Sequence, residues 1–220
     1  HDGTNGLKLG GTLVTSSAAE LNLVDGSVVG NTVASKAAML DSGKNLQTNA
    51  NVGTAGTNVT AVEYGDGRVH TTVLTLASVV VNIGDNASLA HGALIYTLPV
   101  GVQAINYAYM SVGATTGATP TTDTPEIGLG TVIGSGAVAT LGDVGATSEN
   151  IIEGSACADL AGTAEVVFDH PNVASANALY IASGAAKTIY INLADAYADI
   201  TGTATATLTG TVVLSWTTLA

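Results

Sequence analysis

The sequence predicts an all-β protein, an antiparallel β-sandwich of jelly-roll type with an extended N-terminal arm. From Val62 onward, β-branched residues come in short runs punctuated by turn residues at intervals of roughly eight to twelve positions, the pattern of a sandwich or barrel. Before about residue 60 the chain is rich in Gly, Asn, Ser and Thr and has no sustained 3.6-residue apolar stripe. Apolar residues make up 46% of the chain but aromatics only 4%, so Ala, Val, Gly, Thr and Leu must fill the interior. At 220 residues, one β domain plus an arm is the simplest division: residues 1–60 as arm and linker, 61–220 as the sandwich.

In the arm, Ala19 to Leu46 reads AELNLVDGSVVGNTVASKAAMLDSGKNL. Ser16 or Ser17 can cap a short helical turn over Ala18 to Leu23, with Glu20 in the first turn, where a carboxylate favours the helix dipole. Leu21 and Leu23 lie two apart, Asp25-Gly26 turns the chain, Val28, Val29 and Val33 follow, and Met39 and Leu40 precede a polar break at Asp41-Ser42-Gly43. These apolar runs are too short to fold alone. All seven are therefore expected to contact a neighbouring surface. Gln47 to Thr60 is nearly all small and polar, which suits a linker.

The candidate strands are Val69 to Leu76, Val79 to Ile83, Ala93 to Leu98, Ile105 to Val112, Ile127 to Ile133, Ala137 to Leu141, Glu165 to Phe168, Leu179 to Ala182, Thr188 to Leu193 and Ala204 to Trp216. In the last, Gly210 marks a bulge or bend, and Val212, Leu214 and Trp216 fall on one face. A turn or two of helix is expected near Ser148 to Ile152, with Ser148 as cap. Tyr107 and Tyr109 sit two apart and so share one side of a strand. They are read, with Trp216, as core or interface anchors, a sugar-stacking platform being the alternative for the tyrosine pair. Tyr180 and Tyr190 join Trp216 as the few large groups of the interior.

Charge and motifs narrow the function. Five basic against 17 acidic residues give a formal charge of −12, which argues against binding to nucleic-acid phosphates. Cys157 is the single cysteine, so no internal disulfide forms, and it reads as a small buried apolar residue. The densest apolar run, Val73 to Val81, is broken by Thr75 and Ser78 and falls short of the ~20 residues of a membrane helix. The chain opens on His1 with no basic segment leading into an apolar one, which implies a preceding piece. Glu63, Asp66, His70, Asp85 and His91 are the densest set of potential ligands, yet no HExxH, EF-hand or Cys/His spacing occurs. Gly65-Asp66-Gly67 reads as a tight turn, and Asp195 and Asp199 around Tyr197 as a solvated loop. There is no GxSxG elbow, and Gly128-Leu129-Gly130 lacks the third glycine of a dinucleotide loop. No catalytic residue, metal or cofactor is expected.

The Ala19 to Leu46 phrase resembles the AELN(L)LDG…SKA(V)xxDSxK(N/D) segment of tailed-bacteriophage structural proteins, both capsid decoration proteins and tail fibres. AVEYGDGRVHTTVLTL at 61–76, ALIYTLPVG at 93–101 and TPEIGLGTVIGSGAVATLG at 124–142 are similar to segments downstream of that arm in tailed-phage virion proteins. The resemblance implies a homotrimeric or otherwise oligomeric β protein, made in the bacterial host cytoplasm and seated on the outer surface of a capsid as a decoration or cement protein. Its partners would be copies of itself and the major capsid protein, with the seven arm residues on the shell or a neighbouring subunit, and no nucleic acid or membrane. It carries over no catalytic residue. Because tail fibres share the arm phrase, the alternative is a tail fibre or spike component binding a host surface glycan. A polysaccharide depolymerase ranks behind both, since such enzymes need facing carboxylates along a groove.

Overall fold

The computed structural model describes residues 8–30, 33, 35–44, 53–65, 68–83, 90–101, 103–116, 125–134, 141, 147–156, 166–170, 179–181, 187–194 and 204–219. The chain forms two compact units, residues 1–49 and 50–220.

In the first unit, β1 (Lys8–Leu9) pairs with β2 (Thr12–Leu13) across Gly10 and Gly11, whose φ of 57° and 85° suit a primed hairpin turn. Helix α1 (Ala18–Val24) begins with a capping box: Ser17 Oγ accepts from the Glu20 amide at 3.2 Å, and Glu20 Oε2 accepts from the Ser17 amide at 2.7 Å. These bonds from the Ser17 backbone and side chain hold the Glu20 carboxyl below its ordinary pKa. The helix stops at Asp25, and Gly26 turns the chain with φ 75°. Val29 then bridges Met39, the Gly30 amide donating to the Met39 carbonyl at 2.7 Å, while Lys36 Nζ donates to the Asn22 carbonyl at 2.9 Å. The segment expected to be extended is thus a series of local turns held by its own polar groups.

The second unit contains β3 (Thr54–Ala55), β4 (Val59–Gly65), β5 (Val69–Ile83), β6 (Ala90–Leu98), β7 (Gln103–Thr116), β8 (Glu126–Gly130), β9 (Ile152–Ala156), β10 (Val166–His170), β11 (Leu179–Ile181), β12 (Lys187–Ala194) and β13 (Ala204–Thr218). They form two antiparallel sheets, one in the order β10-β7-β13-β5-β4 with β11 also on β7, the other β3-β6-β12-β8-β9. The pairings nest: β5 with β13, β6 with β12, β7 with β10 and β11, β8 with β9. Later strands of the unit thus pair back onto earlier ones, and the result is the all-β sandwich the sequence predicts. Leu74, Val112, Leu214 and Trp216 of the first sheet and Ile95, Tyr96, Leu129 and Ile191 of the second share one fully buried core. Such alternating inner faces are what make a sandwich.

Several expected elements are redrawn. Residues 54–60, read as linker, supply β3 and the start of β4. Val69 to Leu76 and Val79 to Ile83 are one strand, because Ser78, at φ 66°, is an extra residue: Thr209 opposes Ala77 while Leu208 opposes Val79. The bulge flips the parity, so Leu74 and Leu76 point inward before it and Val79, Val81 and Ile83 after it. The strand expected to reach Ile133 ends at Gly130, leaving Val132 and Ile133 exposed. Ser148 to Ile152 is no helix. The Ser148 carbonyl is taken by Asn192 Nδ2 at 2.6 Å and the Thr147 carbonyl by the amides of Thr131 and Val132, so none is left for an i+4 ladder. Residues 137–140, Cys157, Asp66, Asp85, Asp195, Tyr197, Asp199 and the side chain of Tyr180 lie outside the described residues.

Gly210 has φ 137°, and a Cβ there would lie 2.2 Å from the Ser111 carbonyl oxygen on β7. Gly210→Ala is therefore expected to cost at least about 1–3 kcal/mol, read as a lowered urea midpoint. Among the described residues no helix is long and apolar enough to cross a membrane.

Candidate functional site

Three features of the described residues bear on function. The first is the apolar set of the N-terminal unit. Leu21, Leu23, Val28, Val29 and Leu40 are exposed, Val29 by 60%, and Val33 and Met39 are only partly covered. No described residue of that unit is buried. Its hairpin, helix and bridge are held by backbone bonds and caps, and its apolar side chains are left facing water.

The second is a groove in the second unit. Asn58 ends the pairing of β4 with β5, its carbonyl accepting from the Ala77 amide and its Nδ2 donating to the Ser78 carbonyl. From Val79 to Ile83 no described strand lies on that side of β5. On the other sheet, β3 pairs with β6 at Tyr96 and Thr97, the Gly56 amide donates to the Ile95 carbonyl, and no described strand continues that pairing along Ala90 to Leu94. Between these two stretches runs a groove of about 390 Å³ lined by Asn58, Val79, Val80, Gly92, Ala93 and Leu94.

The third is a polar network inside the sandwich. Glu63 on β4 lies opposite Thr72 on β5, and Trp216 on β13 lies opposite His70. Glu63 Oε1 is 2.9 Å from His70 Nδ1. Its Oε2 accepts from Thr72 Oγ1 at 3.1 Å and from the Tyr96 hydroxyl of the facing sheet at 2.9 Å. Tyr96 in turn accepts from the Gly53 amide at 2.8 Å, and Trp216 Nε1 donates to Thr72 Oγ1 at 2.8 Å. The rings of His70 and Trp216 stack at 4.0 Å and 7°. Both ring nitrogens of His70 and Glu63 Oε1 are buried without a hydrogen bond of good geometry, the Nδ1–Oε1 approach being close but not aligned. All five side chains are at most 1% exposed, so no substrate reaches them. The network joins the sheets.

Burial, and secondarily the Glu63 charge, push the Tyr96 phenol well above its ordinary pKa. Unfolded tyrosine loses its proton near pH 10, whereas native Tyr96 keeps it beyond that point. Above about pH 10 the unfolded chain then binds fewer protons than the native one, so stability falls as pH rises. Urea midpoints measured upward from pH 9 should decline, and Tyr96→Phe should flatten that decline.

Of the expected anchors, Trp216 is fully buried. Tyr107 is not a core residue, being 44% exposed, and Tyr109 is partly exposed, because Ala108, Met110 and Val112 take the inward positions of β7. Tyr190 is partly exposed too. Tyr96, which strand alternation does not single out, fills the core instead. A register shift of β12 against β6 at Ile189/Tyr190 turns both Ile95 and Tyr96 inward. Of the potential ligand set, Glu63 and His70 do meet, and among the described residues no group of three or more His, Cys, Asp or Glu can hold a metal ion. No protein-family model matches this chain, and no curated protein matches it.

Proposed function

We propose that this protein is a capsid decoration, or cement, protein of a tailed bacteriophage that binds the outer surface of the shell and bridges its subunits. The observation that carries this is the N-terminal unit, in which Leu21, Leu23, Val28, Val29 and Leu40 stay exposed and Val33 and Met39 are only partly covered. Fully burying a Leu or Val side chain is worth about 1.5–3 kcal/mol, and these five are about half exposed, so docking them offers on the order of 5 kcal/mol before ordering costs. Binding energy spread over a joint between shell proteins must be lost before that joint opens, which stabilises the shell by linkage. The sandwich supplies a stable body, and its acidic surface keeps coated particles apart. The arm phrase described above points to the same class of protein.

The test is co-sedimentation of the full chain with expanded capsids, beside a Leu21→Asp, Leu23→Asp, Val29→Asp variant. The variant is expected to bind at least about tenfold more weakly, a difference of about 1.4 kcal/mol or more. Undiminished binding would refute the role of the arm. Copy number separates the tail-fibre alternative: hundreds per particle mark a coat, a handful a fibre.

A further inference from the structure

Glu63 beside His70 is a pairing of the kind that activates a nucleophile, but both groups are sealed from outside substrates. What lies next to them belongs to the chain itself. His70 opposes Trp216, and the next inward position of β13 is Thr218, directly opposite Gln103 on β7. Residues so opposed share one face of the sheet with Cβ atoms about 4.5–5.5 Å apart, a gap that a Thr Oγ and a Gln Cδ can close, and a diagonal neighbour such as His70 is within reach of the same pair. Gln103 is fully buried, its Nε2 donating to the Pro99 carbonyl at 2.6 Å. Its Oε1 and Thr218 Oγ1 are buried too, and among the described residues neither has a hydrogen-bond partner, although one is an acceptor and the other a donor. A hydroxyl lying in the plane of the amide oxygen's lone pairs would bond to it, whereas one held above the amide carbon would not.

We propose that Thr218 and Gln103 become joined by an intramolecular ester, made once by the folded chain on itself. Thr218 Oγ attacks Gln103 Cδ; the Oγ–Cδ bond forms, the Cδ–Nε2 bond breaks, and the nitrogen leaves as ammonia. His70 Nε2, buried without a partner, takes the hydroxyl proton and hands it to the departing nitrogen, so no outside reagent is consumed. Glu63, 2.9 Å from Nδ1, stabilises the imidazolium that exists between the two transfers. Burial keeps out the water that would hydrolyse the ester, and ammonia lost to dilute solution does not return. The bond fastens the central strand β13 to β7 and removes freedom from the unfolded chain, as any cross-link between distant residues does. It goes beyond the decoration reading and does not depend on it.

Mass spectrometry of the intact full chain tests it, with a mass about 17 Da below the sum of the residues, one ammonia, as the expected result. Thr218→Val and Gln103→Met should each restore the full mass, and both should unfold at lower urea than the linked chain. A protease digest of the wild-type chain should contain a branched peptide joining residues 103 and 218 that hydroxylamine splits, a reading that requires no variant to fold. A His70→Gln variant that keeps its far-UV circular dichroism should form the link at least about a hundredfold more slowly. A wild-type chain of full residue mass would overturn the proposal, as would a deficit that persists in Thr218→Val or maps to other residues. A folded His70→Gln variant that links at the wild-type rate would overturn the role of the imidazole. Capsid binding enters none of these readings, so failure of the decoration reading and failure of the ester are told apart.

Discussion

Replacing Trp216 with Ala should lower the unfolding free energy by about 3–5 kcal/mol, the range for a large aromatic removed from a tight core. Trp216 is the single tryptophan and is fully buried. Its ring covers His70, and its indole N–H donates to Thr72, which itself donates to Glu63. Truncation opens a cavity against His70 and removes the donor at Thr72 Oγ1. Trp216→Phe keeps an aromatic over His70 but loses the hydrogen bond, so a smaller cost of about 1–2 kcal/mol is expected. Domains of this size are stable by only about 5–15 kcal/mol, so the alanine variant should unfold at markedly lower urea by circular dichroism. A loss under about 1 kcal/mol would mean that the indole is not the keystone the packing indicates.

Glu63→Ala should also be strongly destabilising, at about 1–3 kcal/mol for each buried polar group it leaves without an acceptor. Its carboxylate accepts from Thr72 and from Tyr96 of the opposite sheet, and lies 2.9 Å from His70 Nδ1. Without it the His70 ring and the Tyr96 hydroxyl are buried with no acceptor between them. Glu63→Gln should be milder, since an amide oxygen still accepts from Tyr96. A double-mutant cycle of Glu63→Gln with Tyr96→Phe should give a coupling above about 0.5 kcal/mol, and additivity would show the inter-sheet bond to be idle.

Much of this architecture is legible in the residues. Val69 to Leu76 alternates cleanly, Val212, Leu214 and Trp216 mark an inner face, and Ser17 with Glu20 announces the helix start. What is hidden is whatever depends on a distant strand. Glu63 follows Val59 and Ala61 at the spacing of an inward face, yet a carboxylate there reads as a surface ligand until Tyr96 supplies its partner. The Ser78 bulge looks like a strand end because parity changes across it. Tyr107 looks like an anchor because aromatics are scarce, and only the inward Ala108 and Met110 show that it faces out. The arm's exposed Leu and Val residues are legible from the brevity of their runs alone.

The nesting of β5 with β13 governs how the protein is made. β5, at 69–83, has β13, at 204–218, as a principal neighbour, so its partner leaves the ribosome more than a hundred residues later. Contacts this distant along the chain slow folding, and the inner side of β5 waits uncovered in the nascent polypeptide. A product truncated before Ala204 would lack the strand between β5 and β7, and should surface as insoluble material or a proteolysis substrate rather than as a shorter stable domain.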